Sequence, residues 1–145
     1  MSVFERITKE IPLGMEMHTP VEKKPFRINF IDMEKKMVYF SAGKELEQIR
    51  VGVKTPIGIP DCCFDGIPNF LRNGCWVKIG TNRGPAPIDS LQDYIDTFHS
   101  KGKTRTADAN YVAVVLEHLK IVEVDPNRPS KVRLKQKKTL PSTEK

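Results

Sequence analysis

The chain has 145 residues, 39% hydrophobic and 29% charged, the proportions of a soluble globular protein and not of a fibrous or disordered one. That length accommodates one compact domain or two small ones packed together, and no apolar run approaches the ~18–20 residues that span a bilayer. The net charge of +6 is unevenly spread: residues 1–99 hold 13 Lys/Arg against 13 Asp/Glu, and residues 100–145 hold 11 against 5, which is the entire excess.

In chain order, residues 2–11 predict a short amphipathic helix, with Val3, Phe4, Ile7 and Ile11 on one face, ended by Pro12 and Gly14. The opening MSVFERITKEI mixes acidic with apolar residues and does not read as a signal-peptide core. Cys62, Cys63 and Cys75, odd in number with two adjacent, form a poor disulfide framework and read as small core hydrophobes. Both features lead to the expectation of a reducing, cytoplasmic setting. Residues 12–25 read as an irregular connection. PFRINFI then alternates, placing Phe26, Ile28 and Phe30 on one face, and MVYFSA runs back after the polar turn at 32–36. LEQIRVGVK alternates Ile49, Val51 and Val53 with polar or small residues, and CWVKIG supplies a fourth strand. Such runs joined by tight turns predict a four-stranded, mainly antiparallel unit with one buried face. Between the last two strands, Pro68 breaks 61–74 into two short turns, capped by Asp61, whose Phe64, Ile67, Phe70 and Leu71 cover the meander.

The stretch 81–87, rich in Gly and Pro, marks the boundary between halves. Asp89 or Ser90 caps a helix with Leu91, Tyr94, Ile95 and Phe98 in one stripe. A second helix, its start capped by Thr106, carries Asp108 in its first turn and turns Val112, Val115, Leu116 and Leu119 inward. The strand IVEV follows, then a turn at 125–130 and the basic strand KVRLK; from Lys135 the chain reads as a disordered tail.

A helix followed at once by a two-stranded hairpin resembles the last half of a winged helix-turn-helix domain, over about residues 85–138. The resemblance implies that the 106–119 helix is a recognition helix and the hairpin a wing. The predicted fold is therefore α+β, with a β-rich unit (1–84) packed against a winged-helix-like domain (85–138) and a tail (139–145). Under this reading Asn127, Arg128, Ser130, Lys131 and Arg133 sit where a wing meets a phosphate backbone. Lys101, Lys103 and Arg105 flank the N-terminus of the recognition helix, whose free N–H groups also favour a phosphate. On its outward face, beside Val114 and Glu117, Asn110 is placed to pair with adenine, and of Tyr111 and His118 at its margins Tyr111 is placed to reach a phosphate or base. Glu117 repels DNA, and Val114 reads little beyond a thymine methyl group.

The expected function is a small non-enzymatic binder of nucleic acid, foremost duplex DNA, acting as a transcription regulator or accessory protein without a cofactor. The N-terminal unit is a candidate for dimerisation or contact with a second protein. Two alternatives stay open: a protein-interaction module whose winged helix is purely structural, and a metal-dependent nuclease at Asp32, Glu34 and Lys36. The cysteines with His99 or His118 lack the spacing of a zinc site, and no Cys–His pair is placed for catalysis. Gly80–Gly84 matches no phosphate-loop pattern and reads as a linker. Trp76, Tyr94 and Tyr111 read as core or boundary residues. Base stacking on the first sheet would need several of Phe26, Phe30, Tyr39 and Phe40 on one solvent face.

Overall fold

The computed structural model describes residues 2–21, 23–42, 57–80, 89–98, 106–127 and 130–135. Helix α1 (Val3–Glu10) opens with a reciprocal capping box. Glu5 N–H donates to Ser2 Oγ at 3.0 Å, and Ser2 N–H to the Glu5 carboxylate at 2.9 Å. Its buried Val3, Phe4 and Ile7 face the core, and the chain leaves through Gly14 at φ +85°. Two hydrogen bonds fasten it to distant parts: Phe4 N–H donates to Asp65 Oδ1 at 2.9 Å, and Arg6 Nη2 to the Leu119 carbonyl at 2.8 Å.

The fold is α+β, and its larger sheet is four-stranded and antiparallel, in the order β1 (Glu16–His18), β2 (Pro25–Asp32), β3 (Met37–Ala42), β4 (Ile57–Pro60). Its membership differs from the sequence expectation. β1 arises from a stretch read as irregular and β4 from one assigned to no strand, the strand expected at 46–54 lies outside the described residues, and CWVKIG joins a different sheet. Asp32 closes the β2–β3 turn by accepting the Glu34 and Lys35 N–H groups, at 3.0 and 2.9 Å. A bulge between Ile28 and Phe30 inserts Asn29 as an extra residue. A bulge shifts every later side chain to the other face. Phe30 is therefore 51% exposed, against the expectation that it shares the buried face of Phe26 and Ile28, and it stacks on Tyr39 with ring centroids 5.7 Å apart.

Helices α2 (Cys62–Asp65) and α3 (Ile67–Phe70) are the two expected turns, parted at Gly66, although the Asp61 side chain makes no capping bond. Phe64 lies 6.4 Å from Phe40, so this pair does cover the sheet. Helix α4 (Leu91–Phe98) is capped by Ser90, whose Oγ accepts from Asp93 N–H at 3.0 Å, and Tyr94 stacks on Phe70 at 4.5 Å. Burial chiefly, with the neighbouring Cys63 and Cys62, raises the Tyr94 phenol above its ordinary pKa. Helix α5 (Thr106–His118) buries Val112, Val115, Leu116 and, just past its end, Leu119, as their spacing predicts. Lys120 at φ +65° and a bond from Ile121 N–H to the Leu116 carbonyl terminate it in a left-handed cap.

The second sheet has the order β5 (Val77–Lys78), β7 (Lys131–Leu134), β6 (Val122–Asp125), all antiparallel. Thus a strand from the expected N-terminal unit hydrogen-bonds the C-terminal hairpin across the 84/85 boundary, and one hydrophobic cluster includes residues of both halves. Ile79 N–H donates to the Ser130 carbonyl, and the Ile79 carbonyl accepts from Gln92 N–H at 2.8 Å, which ties α4 to this sheet. Among the described residues no helix is long and apolar enough to cross a membrane.

Candidate nucleic-acid interface

The register of the second sheet sorts its side chains. Val77 faces Val132, which faces Val124, while Val122 faces Leu134; these apolar residues alternate onto the inner face. The outer face consequently carries two rows. Lys78 lies opposite Lys131, which lies opposite Asp125, and one step along the ladder Arg133 lies opposite Glu123. Trp76, immediately before β5, extends this second row: the Arg133 guanidinium carbon sits 4.4 Å from the centre of its ring. Arg133 Nη2 also donates to Glu123 at 3.1 Å. The indole, guanidinium and carboxylate therefore form a cross-strand set of fixed orientation, with Trp76 still 41% exposed.

The adjacent row is electrostatically unbalanced. Asp125 Oδ1 accepts from the backbone N–H and Nδ2 of Asn127 at 3.0 and 2.9 Å, closing the turn. Among the described residues neither the Lys78 nor the Lys131 ammonium has an ion-pair partner. Like charges directly opposite across strands repel, so an anion between them would be stabilised.

The sequence-predicted residues divide as follows. Asn127 is exposed at the hairpin turn, and Ser130 and Lys131 are half-buried beside it. Arg133 is brought to the same face, where Glu123 and Trp76 engage its guanidinium. Arg128, Lys101, Lys103 and Arg105 lie outside the described residues. Asn110 is half-buried on α5. Tyr111 is 5% exposed, with its ring 4.6 Å from Phe26 and 5.4 Å from Phe40. It joins α5 to the large sheet, which corrects its placement on an outward face and supports its reading as core. From Ala109 to Leu116 only Asn110 and Val114 are even half-exposed, and Glu117 and His118 are the exposed groups at the helix end. Over residues 109–116 the helix presents little to a groove.

Lys78 and Trp76 were absent from the sequence-derived set. Alternation in CWVKIG already paired them on one face, but nothing in the sequence indicated that this strand would close on the hairpin. At the turn of the nuclease alternative, Asp32 Oδ1 accepts two backbone N–H groups, and among the described residues there is no group of three His, Cys, Asp or Glu that could hold a metal. Cys63 is buried as expected, whereas Cys62 and Cys75 are exposed free thiols. No family model, curated protein or solved structure matches the chain.

Proposed function

We propose that the chain is a non-enzymatic nucleic-acid-binding protein whose contact surface is the outer face of the β5–β7–β6 sheet. In this reading the second half is a winged-helix-type unit, with α4 and α5 as its helix pair and β6–β7 as its wing. Support comes from the element order, helix, strand, two helices and a hairpin, with the early strand closing on the hairpin as a third strand. The observation that carries the functional reading is the Lys78–Lys131 pair beside Arg133; Lys131 and Arg133 belong to residues 100–145, which hold the chain's whole basic excess. Binding is then electrostatic: the ammonium groups neutralise phosphates and release counterions, with duplex DNA as the foremost ligand. Base-specific reading by α5 has little surface to work with, so the protein acts as an accessory or sequence-tolerant factor.

The test is fluorescence anisotropy with labelled duplex DNA, single-stranded DNA and RNA over a salt series, comparing wild type with a Lys78→Glu/Lys131→Glu variant. Loss of two phosphate contacts should lower the slope of log affinity against log salt by about 1.8. Equal affinity and slope in a folded variant would refute this surface. One observation favours a second reading, a protein-interaction module: exposed Leu13 and Met33 rim a groove of about 310 Å³ whose apolar lining also includes Ile11, Pro12 and Ile31. That reading predicts indifference to the charge reversal and sensitivity to Leu13→Glu/Met33→Glu in partner capture.

A further inference from the structure

We infer that Trp76 is a stacking platform for an unpaired nucleobase, so that the outer face of the second sheet takes a single-stranded segment along β5 and β7. This rests on the nucleic-acid reading above and narrows its ligand on the same surface from duplex DNA to a single strand, an overhang or a gap. Arg133 covers one side of the indole at 4.4 Å and is itself held by Glu123 at 3.1 Å. The 41% of Trp76 left in solvent is thus a rigid aromatic surface, backed by a cation and presented at the edge strand of the sheet. Trp76 and Lys78 alternate onto one side, and Lys131 lies directly across from Lys78. Residues two apart on a strand are separated by about 6.5–7 Å, close to the spacing of successive phosphates in an extended single strand. A base on Trp76 therefore brings the neighbouring phosphate within reach of both lysines.

The charge distribution selects the path. Glu123 and Asp125 both lie on β6, whereas the Lys78 and Lys131 ammonium groups, without an ion-pair partner among the described residues, lie on β5 and β7. A polyanion is drawn to the β5 edge and repelled from the β6 side. A paired duplex offers no free base face along its length, so stacking requires a single strand, an overhang or a gap. The Phe30–Tyr39 pair on the first sheet, with Phe30 exposed and Tyr39 half-buried, is a second aromatic surface. Its neighbours there are Glu16, already pairing with Arg27 and His18, and Asp32, which do not suit a phosphate.

Trp76 is the sole tryptophan, so intrinsic fluorescence reports on this residue alone. The full chain is titrated with an end-labelled single strand of about 12 thymidylates and with a blunt duplex, following anisotropy of the label and Trp76 emission in parallel. The expected result is quenching of Trp76 that saturates with single-strand binding. Trp76→Ala should weaken single-strand affinity about 5- to 150-fold, Trp76→Phe should retain most of it, and blunt-duplex affinity should be unmoved by either substitution. Single-strand binding with unchanged Trp76 emission, or with full affinity in a folded Trp76→Ala variant, would overturn this inference and leave the nucleic-acid reading standing. No anisotropy change with either ligand at low salt would overturn both.

Discussion

Replacing Tyr111 by alanine separates a core role from a surface role in one measurement. The side chain is 5% exposed and lies against two rings, Phe26 at 4.6 Å and Phe40 at 5.4 Å, tilted by 33° and 28°. Truncating a buried aromatic costs about 3–5 kcal/mol, from lost transfer energy and the cavity left behind. Tyr111→Leu keeps much of the apolar volume and loses mainly the two ring contacts, at about 0.5–1.5 kcal/mol each, so it should cost about 1–3 kcal/mol. Equilibrium urea unfolding followed by circular dichroism measures both. With an m-value on the order of 2 kcal/mol/M, the alanine midpoint should fall by about 1.5–2.5 M. If the residue stood on an exposed reading face instead, alanine would change stability by no more than about 0.5 kcal/mol and would act on ligand affinity. A midpoint within about 0.3 M of wild type would refute the core assignment.

The bulge at Asn29 predicts opposite outcomes for two phenylalanines of one strand: Phe26→Ser should unfold the domain or cost about 3–5 kcal/mol, whereas Phe30→Ser should stay within about 0.5 kcal/mol of wild type by the same urea assay. Gly66→Ala is allowed by its φ of −85°, but the added methyl would collide with the Tyr94 hydroxyl, on a ring held by stacking on Phe70. Thermal unfolding should show a loss of about 1–3 kcal/mol from this overpacking. Lys120 closes α5 at φ +65°, so Lys120→Gly should stabilise by about 0.5–1 kcal/mol in the same measurement. Two carboxyls of α1 lie below their ordinary pKa, Glu5 because the Ser2 backbone N–H and then its hydroxyl bond it, and Glu10 because the Arg6 guanidinium does. Their contribution is present above the unfolded carboxylate pKa and disappears as pH falls through the folded values, and Glu5→Gln/Glu10→Gln should flatten that part of a urea-midpoint profile against pH.

Much of the local structure was legible in the sequence because it is set by short-range physics. The Val112, Val115, Leu116 and Leu119 spacing located the buried stripe of α5, and Ser90 before an apolar stripe located the start of α4. What escaped depends on partners distant in sequence. The 16–18 and 57–60 strands are too short to show an alternating pattern, and they become strands only because β2 and β3 offer free edges. Asn29 looks like any polar position of an alternating run; its role as a bulge residue follows from β3 pairing, so Phe30 was assigned to the wrong face. The same holds at the candidate site. Lys131 and Arg133 were identified from their own basic hairpin, whereas Trp76 and Lys78 acquire significance only when Val77 pairs with Val132, 55 positions further on.

This long-range pairing also decides which surface is left to bind a ligand. A helix next to a hairpin can serve as a reading element only if one side stays open. Here α5 meets the large sheet through Tyr111, α4 on another side, and the hairpin through the turn at Ile121. Arg6 of α1 occupies the carbonyl of Leu119 beyond its last turn. The N-terminal half therefore covers one side of α5, which packs against both sheets. The second sheet packs into the core on its valine side, and its outer face carries Trp76, Lys78, Lys131 and Arg133 beside Glu123 and Asp125. Charge reversal on that sheet and truncation of Tyr111 should consequently separate cleanly, the first altering affinity without stability and the second stability first, because one acts on the surface that the other's packing leaves free.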